Sequence, residues 1–394
     1  MIDEPGPWGT GPFTLVQGAS SILTRNAIMS PDPYTCSWLI ESEDGSPELV
    51  LEANLDHWNR ANRGPRIQRA VFRNNLSPTE ALEMCIGGDG EVDILTEVSP
   101  ADAEWVKASQ FARLIACDAN RVLTCIVNRG RGDVPLDSID VRRALNLAVD
   151  KQKIISDGLG GYANEIPALT PTWCSGFPQG ALPYPHDPAE AKRLFEKGGW
   201  PAGRPIRIAT PTPFAGIAQL VAGDLRRALD VAVEVITVPD EALLAGSRAL
   251  VEKKLEQPWD LLMHAWFDLS SEAPPAAVHR EFFGRDGAFR AGPPDEGFDR
   301  LFHQMAVEID GGKLVTIAEE IDRYCFDNAL AVFLCAPRAL YAVNNHVGFG
   351  PYRTTFEIAE VTVDEGHWSR LPGTDRRPSA TTRPGFSGAT GNAC

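Results

Sequence analysis

The chain contains seven histidines and eight cysteines, side chains that can bind metals or act as nucleophiles and bases. Their spacing gives no CxxC pair and no close set of metal-ligating histidines. GxxxxGK[ST], HExxH and GxSxG motifs are also absent, as is a GxGxxG motif after a strand. A cysteine such as Cys174 could still pair with a distant histidine, because nucleophile and base need only meet in space. The sequence therefore identifies no catalytic constellation and predicts no metal ion or cofactor.

Most of the cysteines lie in apolar runs, as Cys335 does at the end of Ala331–Cys335. We expect them to be small buried hydrophobes rather than disulfides or reactive thiols. Free thiols would favour a reducing compartment. His264 lies in the apolar stretch 261–266, so we expect a core or pocket-wall histidine rather than a metal ligand.

The composition limits the partners that the protein can have. The 394 residues include 37 Lys and Arg against 53 Asp and Glu, a net charge of −16. Such a surface repels phosphate backbones and anionic lipid, which disfavours nucleic-acid and membrane-surface roles. Hydrophobic residues make up 43% of the chain, enough for a large core, and the length suggests two domains. No apolar run is long enough to span a bilayer.

Capping signals and hydrophobic periodicity predict the elements that would position a site. Ser77–Glu80 and Asp187–Glu190 both predict a helix N-terminus with proline in its first turn. The apolar spacing within 139–155 predicts one amphipathic helix. Within 206–265, strands alternate with helices, including a helix over 241–255, which predicts an α/β domain with parallel strands.

Two segments look irregular. Residues 19–48, rich in Ser, Pro and acids, are predicted to form a long loop or hairpin between two strands. Residues 373–394 consist mainly of Gly, Ser, Thr, Pro and Arg, and are predicted to be a disordered tail.

Six segments carry a resemblance when they are read in order along the chain. They are GTGPF (9–13), LEANLDHW (51–58), AVFR (70–73) with GEVDI (90–94), VRRALNLAVDK (141–151), residues 183–199, and WDLLMHAWFD (259–268) with FF (282–283). Together they resemble the peptide/nickel class of solute-binding proteins of bacterial ABC transporters, the dipeptide- and oligopeptide-binding type. The fourth segment is the most specific, since it is close to the family's VRqALnyAiDr.

The resemblance implies an α/β, two-lobed type II periplasmic-binding-protein fold with mixed sheets and a hinge. Lobe one would comprise residues 1–170 plus 336–372, and lobe two residues 171–335. Family members usually carry a signal sequence and roughly a further domain before GTGPF, which begins here at residue 9. We therefore expect either an N-terminally shortened chain or a relative that has lost its transport role. An open sheet edge in lobe one would need cover from residues 19–48, a partner chain or a homodimer mate.

The resemblance also implies a ligand site between the lobes, near Trp266. The family's acid for a peptide's amino terminus lies three residues after the tryptophan, whereas Asp268 comes one residue earlier, and the family's YpDP is replaced by LSSEAP. Asp268 would pair with a ligand ammonium, or else be a solvated turn acid or helix N-cap. Glu272 is the alternative amine-binding acid, or a surface acid. Trp266 would form a flat wall for a ligand, or pack in the core.

Two further aromatic residues are candidates for the pocket wall. Trp173 follows Thr170-Pro171-Thr172, where a family chain crosses from one lobe to the other. Tyr184 is the weaker candidate of the two. Arg142, Arg143 and Asp150 lie off the apolar stripe of their segment, so we expect them to be structural or solvated.

In family terms, the protein captures a small peptide-like or amine-bearing solute for an ABC permease, without a cofactor, in the periplasm or at the cell surface. A nickel complex is a poorer fit, because no histidine cluster offers ligands. The alternative is a cytoplasmic protein with a recruited binding-protein fold, acting as a ligand sensor, a complex subunit or a cleft-based hydrolase.

Overall fold

A computed structural model describes most of the chain between residues 9 and 371. The described residues are 9–18, 46–88, 90–238, 258–267, 276–287, 289–352 and 355–371. The predicted helix over 241–255 and the predicted tail over 373–394 lie outside these residues, as does most of the predicted loop over 19–48.

The described strands are short except for one of 14 residues, β11. Their bounds are β1 Phe13–Gln17, β2 Glu48–Ala53, β3 Arg69–Arg73, β4 Ile94–Leu95, β5 Ala112–Asp118, β6 Arg121–Val127, β7 Ala163–Glu165, β8 Ile206–Pro211, β9 Val233–Val238, β10 Leu261–Phe267, β11 Ala331–Asn344, β12 Val347–Gly348, β13 Pro351–Tyr352, β14 Thr355–Phe356 and β15 Thr362–Val363.

The described α-helices lie mainly between these strands. Their bounds are α1 Arg60–Arg63, α2 Pro78–Gly87, α3 Ala103–Ala108, α4 Ile139–Ala148, α5 Lys151–Lys153, α6 Pro188–Gly198, α7 Ala215–Leu229, α8 Ala276–Phe283, α9 Glu296–Val307 and α10 Gly311–Asp327.

The main sheet is mixed, in the order β4-β11-β6-β10-β8-β9, with β5 and β7 also paired to β11. β8 pairs in parallel with both β9 and β10, as the alternation of strands and helices predicts. β6 is antiparallel to β10 and to the first half of β11. β5 is antiparallel to the second half of β11. The α/β class and the mixed sheet are as predicted.

β11 divides the sheet into two groups of strands, because its two halves have different partners. Its residues 331–335 pair with β6, and its residues 338–344 pair with β5. The chain passes a second time between the groups at Ala119–Asn120, which joins β5 to β6. β11 and the 119–120 connection therefore pass side by side from one group of strands to the other. We call the group with β4 and β5 the first group and the group with β6–β10 the second group.

The predicted lobe boundaries stay a prediction, and one stretch is placed differently by the strand pairing. The prediction assigns residues up to 170 to lobe one. β6 and α4 fall in that range, yet β6 pairs with β10, and α4 packs on α6 and α7. The pairing therefore favours a first crossing at Ala119–Asn120 rather than at residue 170.

The predicted helix caps are present. Ser77 and Glu80 form a reciprocal capping box at the start of α2, and Asp187 accepts from the Glu190 backbone N–H at the start of α6. The predicted single helix over 139–155 is interrupted after Ala148, and Asp150 caps the short α5 by accepting from Lys153 N. The apolar face nevertheless continues across the interruption, since Val141, Leu145, Ile154 and Ile155 enter the same core.

The second group has a core on each face of its sheet. Odd-numbered residues of β6 such as Leu123 face the core formed with α4, α6 and α7. Even-numbered residues such as Val122 face the core formed with α8, α9 and α10. This alternation is what a strand buried on both faces requires.

Arg142 on α4 is buried, and its guanidinium donates to the backbone carbonyls of Leu136, Asp137, Asn328 and Ala329. Its role is therefore structural, as expected.

A separate three-stranded antiparallel sheet, β1-β2-β3, overlaps the first three resembling segments. Arg73 on β3 lies 3.7 Å from Glu48 on β2 and donates to the carbonyl of Glu91. Asn54, after β2, donates its side-chain amide N–H to the carbonyl of Gly11 and its backbone N–H to the carbonyl of Pro12. These bonds fix residues 9–12 beside the end of β2.

Candidate functional site

The parallel strands of the second group end together beside the crossings. β8 ends at Pro211, β9 at Val238 and β10 at Phe267. Phe267 pairs with Arg121, the first residue of β6, directly after the 119–120 crossing. In open α/β sheets, ligands bind outside the carboxyl ends of the parallel strands. This edge, together with the crossings, is therefore the candidate ligand site.

Trp173 is held at this edge by its indole nitrogen. Nε1 donates to the carbonyl of Ala119 over 3.2 Å, which connects residue 173 to the crossing. The side chain is only half-buried, so part of the indole stays accessible. A flat aromatic surface at a crossing is suited to pack against the apolar part of a small molecule.

The segment that leads to Trp173 is fixed by a buried carboxylate. Asp322 on α10 accepts the backbone N–H groups of Leu169 at 2.8 Å and Thr170 at 3.0 Å. Thr170 Oγ1 also lies 3.3 Å from His279 Nε2, and His279 and Asp322 are both almost fully buried. A carboxylate that accepts two N–H bonds satisfies buried donors that would otherwise be costly. Asp322 therefore positions the residues before Trp173.

Arg121 is a candidate that the sequence reasoning missed. It starts β6, beside the crossing, and is half-buried. Among the described residues, no carboxylate lies within 4.0 Å of its guanidinium, whereas Arg338 on β11 lies 3.8 Å from Asp118. The sequence signal that could have identified it is an arginine at the first position of an otherwise apolar strand. Its pairing with Phe267 depends on a register that the sequence does not give.

Tyr184 is engaged inside the protein. Its hydroxyl donates to the carbonyl of Phe326 over 2.6 Å, and its ring centroid lies 4.3 Å from that of Phe326. Burial raises the pKa of Tyr184 to about 12. The ring packs against the cores on both faces of the sheet. Its assignment to the ligand wall stays a prediction.

The remaining predicted site residues are only partly described. Trp266 lies in β10, where its backbone pairs with Val122, one residue from the Phe267–Arg121 pair. Asp268 and Glu272 lie outside the described residues. Asp268 nevertheless follows β10 directly in the chain, at the carboxyl end of that strand.

Five of the six described thiols are buried, Cys174 among them, whereas Cys117 is half-buried. Cys85, Cys125, Cys325 and Cys335 are buried, and burial raises the pKa of Cys125 and that of Cys335 to about 12. His264 lies on β10 against the ring of Phe282, with centroids 4.8 Å apart, and desolvation lowers its pKa to about 4. Inert buried thiols and a neutral histidine agree with the interpretation of these residues as packing groups.

A shallow concavity of about 580 Å³ lies beside α3 and β5, where Lys107, Arg113 and Tyr162 line it, and no predicted site residue does so. Within the described residues, no three His, Cys, Asp or Glu side chains are arranged to hold a metal ion. None of the described helices has both the length and the hydropathy to cross a bilayer.

Known proteins with similar sequences share the family that these segments resemble. The chain is 25% identical over 222 residues to the nickel-binding periplasmic protein of Escherichia coli, a match that covers 52% of this chain and 41% of that protein. It is 29% identical over 143 residues to heme-binding protein A of Haemophilus influenzae, which covers 34% of this chain and 26% of that protein. The chain thus matches less than half the length of these relatives.

Solved structures with a similar fold are also longer. The ABC transporter substrate binding protein CtaP of Listeria monocytogenes superposes with a TM-score of 0.72 at 18% identity, over 90% of this chain and 67% of that one. The periplasmic binding protein DppA of Helicobacter pylori, in complex with the peptide STSA, gives a TM-score of 0.64 at 17% identity, over 90% and 63%. These similarities show the two-lobed type II periplasmic-binding-protein fold.

A family model settles the membership. The model for bacterial extracellular solute-binding proteins, family 5 Middle, matches residues 4–282, which is well over half of the chain. The matched range includes all six segments up to Phe282, together with Arg121 and Trp173. The chain belongs to the family 5 bacterial extracellular solute-binding proteins.

Proposed function

We propose that this chain binds the solute of an ABC importer, and that the solute is a small peptide-like or amine-bearing molecule held between the two groups of strands. Family membership supports the general role. The observation that carries the proposal is the pair of adjacent crossings, β11 and Ala119–Asn120, with Trp173 bonded to one of them. Two neighbouring connections between packed units form a hinge, and hinged binders close over their ligand.

We propose partners of both charge signs for the solute. Asp268 and Glu272 are the proposed partners of the solute's ammonium group. Arg121 is the proposed partner of its carboxylate, because a guanidinium binds a carboxylate with two parallel hydrogen bonds. Trp173 and Trp266 would pack on the carbon skeleton between the charged ends, with Tyr184 behind them. A short peptide has this arrangement of groups, whereas a free metal ion does not.

The first test is native mass spectrometry of the protein purified gently from its own host. We expect a monomer that retains a mass of a few hundred daltons or less, identifiable as a short peptide or amine. A ligand-free dimer, or a stable complex with another protein, would contradict the proposal and support the recruited role in an assembly.

The second test measures the charged ends separately by isothermal titration calorimetry with trialanine, its N-acetylated form and its C-terminal amide. We expect Arg121→Gln to weaken trialanine but to leave the C-terminal amide unchanged. Arg207→Gln, a half-exposed arginine on β8 that pairs with Glu234, is the matched control. If the unmodified chain and both variants bound the three probes with the same affinity, recognition of the peptide ends would be contradicted. Titration with NiCl₂ tests the nickel alternative in the same instrument.

The proposed location is the periplasm or the cell surface, with the permease as the partner. A homodimer that covers lobe one is the alternative partner. Sedimentation equilibrium of the purified chain distinguishes monomer from dimer, and proteolysis of intact cells or spheroplasts tests whether the protein is accessible from outside the cytoplasm.

A further inference from the structure

The connection between β2 and β3, residues 54–68, carries two unusually exposed apolar side chains. Leu55 is 63% exposed and Trp58 is 78% exposed. A tryptophan normally buries most of its ring, so a solvated one indicates a contact that the described residues do not supply. His57 lies beside Trp58 and is bonded through Nδ1 to the carbonyl of Thr10 at 3.0 Å, which anchors the base of the connection.

The same connection is basic within an acidic chain. Arg60, Arg63 and Arg66 are all exposed, and Asp56 is the one acid among residues 54–68. In the described part of the chain none of the three arginines forms an ion pair, although nearby Arg73 pairs with Glu48. Since these arginines meet no carboxylate within the described residues, an external anion is a suitable partner for them.

Hydrogen bonds hold the backbone of this connection in a defined conformation. Arg60 Nη1 donates to the carbonyl of Leu55 at 3.0 Å, and the Gly64 backbone N–H reaches the carbonyl of Arg60. A Cβ on Gly64 would overlap that carbonyl, so the tight turn depends on glycine. The short helix α1 and the turn at Gly64 therefore fix the backbone between Trp58 and Arg66.

We propose that residues 54–68 form a contact surface for an anionic lipid membrane. Trp58 and Leu55 would enter the interfacial region, where tryptophan is favoured, while the arginines bind the phosphates of the headgroups. The chain's net charge of −16 opposes non-specific binding of the chain as a whole to such a surface. Because salt screens charges beyond a Debye length of about 8 Å, the local basic connection can bind while the acidic remainder faces away.

A lipid surface fits this patch better than an acidic protein does. A protein interface usually centres its aromatic anchor in a pocket of the partner and surrounds it with a wide contact area. Here the two exposed apolar side chains are followed in the chain by three exposed arginines, a combination that interfacial membrane anchors also have. The proposal is independent of the solute site, since none of these residues belongs to it.

The test is co-sedimentation of the whole chain with large vesicles made of equal parts phosphatidylglycerol and phosphatidylcholine, and with pure phosphatidylcholine vesicles as the reference. We expect binding only to the anionic vesicles, and a steep loss between about 50 mM and about 500 mM salt. Arg63→Gln combined with Arg66→Gln should weaken binding roughly 25-fold, since each arginine near an anionic surface contributes about fivefold. Trp58→Ala should weaken it about tenfold.

The control is Arg300→Gln combined with Arg323→Gln, which removes the same charge from exposed positions on α9 and α10. It should bind the vesicles as the unmodified chain does. Loss of binding in this control, or vesicle binding unaffected by both patch variants, would overturn the proposal.

Two further probes test the other occupants. Tight binding of poly-glutamate that depends on Arg63 and Arg66 but not on Trp58 would assign the surface to an acidic protein and overturn the lipid proposal. A lipid-free dimer in sedimentation equilibrium that Trp58→Ala abolishes would assign it to a second copy of the chain, with the same consequence.

Discussion

Trp173 donates its indole N–H to the carbonyl of Ala119 over 3.2 Å, and Ala119 lies in the connection by which the chain passes between the two groups of strands. A movement of this connection therefore also moves the aromatic side chain. Trp173 is at once a candidate ligand wall and a reporter of the angle between the groups. That double role gives the sharpest test of the proposed site.

Trp173→Phe keeps a flat ring but removes the N–H that reaches Ala119. Because this bond fixes the ring at the crossing and contributes about 1 kcal/mol, we expect weaker binding of the solute retained by the purified protein, by at most about fivefold. Trp200 also donates its indole N–H to a backbone carbonyl, that of Arg204, but away from the crossings, so Trp200→Phe is the matched control. Calorimetry with the retained solute should show the loss in the first variant alone. Equal affinities for both variants would remove Trp173 from the site.

Asp322→Asn tests whether one carboxylate holds the segment before Trp173. The carboxylate accepts two backbone N–H groups, whereas an amide has one acceptor oxygen and must direct its NH₂ group at the other donor. We expect the free energy of unfolding to fall by about 2–3 kcal/mol in urea titrations. Glu320→Gln, at an exposed position on the same helix, should change it by less than about 0.5 kcal/mol. A difference of that small size for Asp322→Asn would contradict the assigned role.

Lys151 gives a pH dependence with a definite sign. It is almost fully buried, its Nζ donates to the carbonyls of Asn146 and Val149, and desolvation lowers its pKa to about 8. In the unfolded chain its pKa is about 10.4, so between pH 8 and that value the unfolded state holds more protons and stability rises with pH.

The measurement is the free energy of unfolding of the unmodified chain minus that of Lys151→Met at several pH values, since the difference cancels other titrating groups. This difference should increase by on the order of 2–3 kcal/mol between about pH 7.5 and about pH 10.5. A flat difference across this range would show that the ammonium of Lys151 is not desolvated.

Position 297 requires glycine because a neighbouring side chain leaves no room for a Cβ, and not because of its φ and ψ angles. A Cβ at this position of α9 would overlap the hydroxyl of Tyr324, which donates to Asp295 over 2.6 Å. Gly297→Ala should therefore lower stability by about 1–3 kcal/mol despite alanine's higher helix propensity. Gly216→Ala in α7, where a Cβ would meet nothing within 4 Å, should raise stability by up to about 1 kcal/mol. Thermal unfolding of both variants checks the opposite signs.

Local signals in the sequence predicted several of the described elements. The caps at Ser77 and Asp187 were predicted from residues only three positions apart, so no tertiary information was needed. The turn residues Gly87–Gly90 followed by Glu91–Leu95 predict a strand over 91–95, whereas the structure has only Ile94–Leu95, because only these residues reach a partner on β11. The sequence also predicts two strands, over 332–336 and 339–343, interrupted at Pro337. They form one strand, since Pro337 pairs with Ala163 of β7 and the ladder continues past it.

The site was less accessible to prediction, because it depends on which strands become neighbours. Trp173 was found through the family resemblance, and the bond to Ala119 joins residues 54 positions apart. Arg121 carried no motif, and its position opposite Phe267 follows from a register that only the folded sheet defines. Tyr184 was named from its sequence context, whereas its hydrogen bond to Phe326 depends on how α10 packs.

The continuity of β11 has a consequence for how the protein loses its structure. Its 14 residues carry backbone hydrogen bonds to β6 at one end and to β5 at the other, without a linker between. Neither group can melt fully without releasing part of a strand that the other group also uses. We therefore expect one cooperative calorimetric transition for the described body, and the slowest amide hydrogen exchange along β11, where the last residual structure would persist.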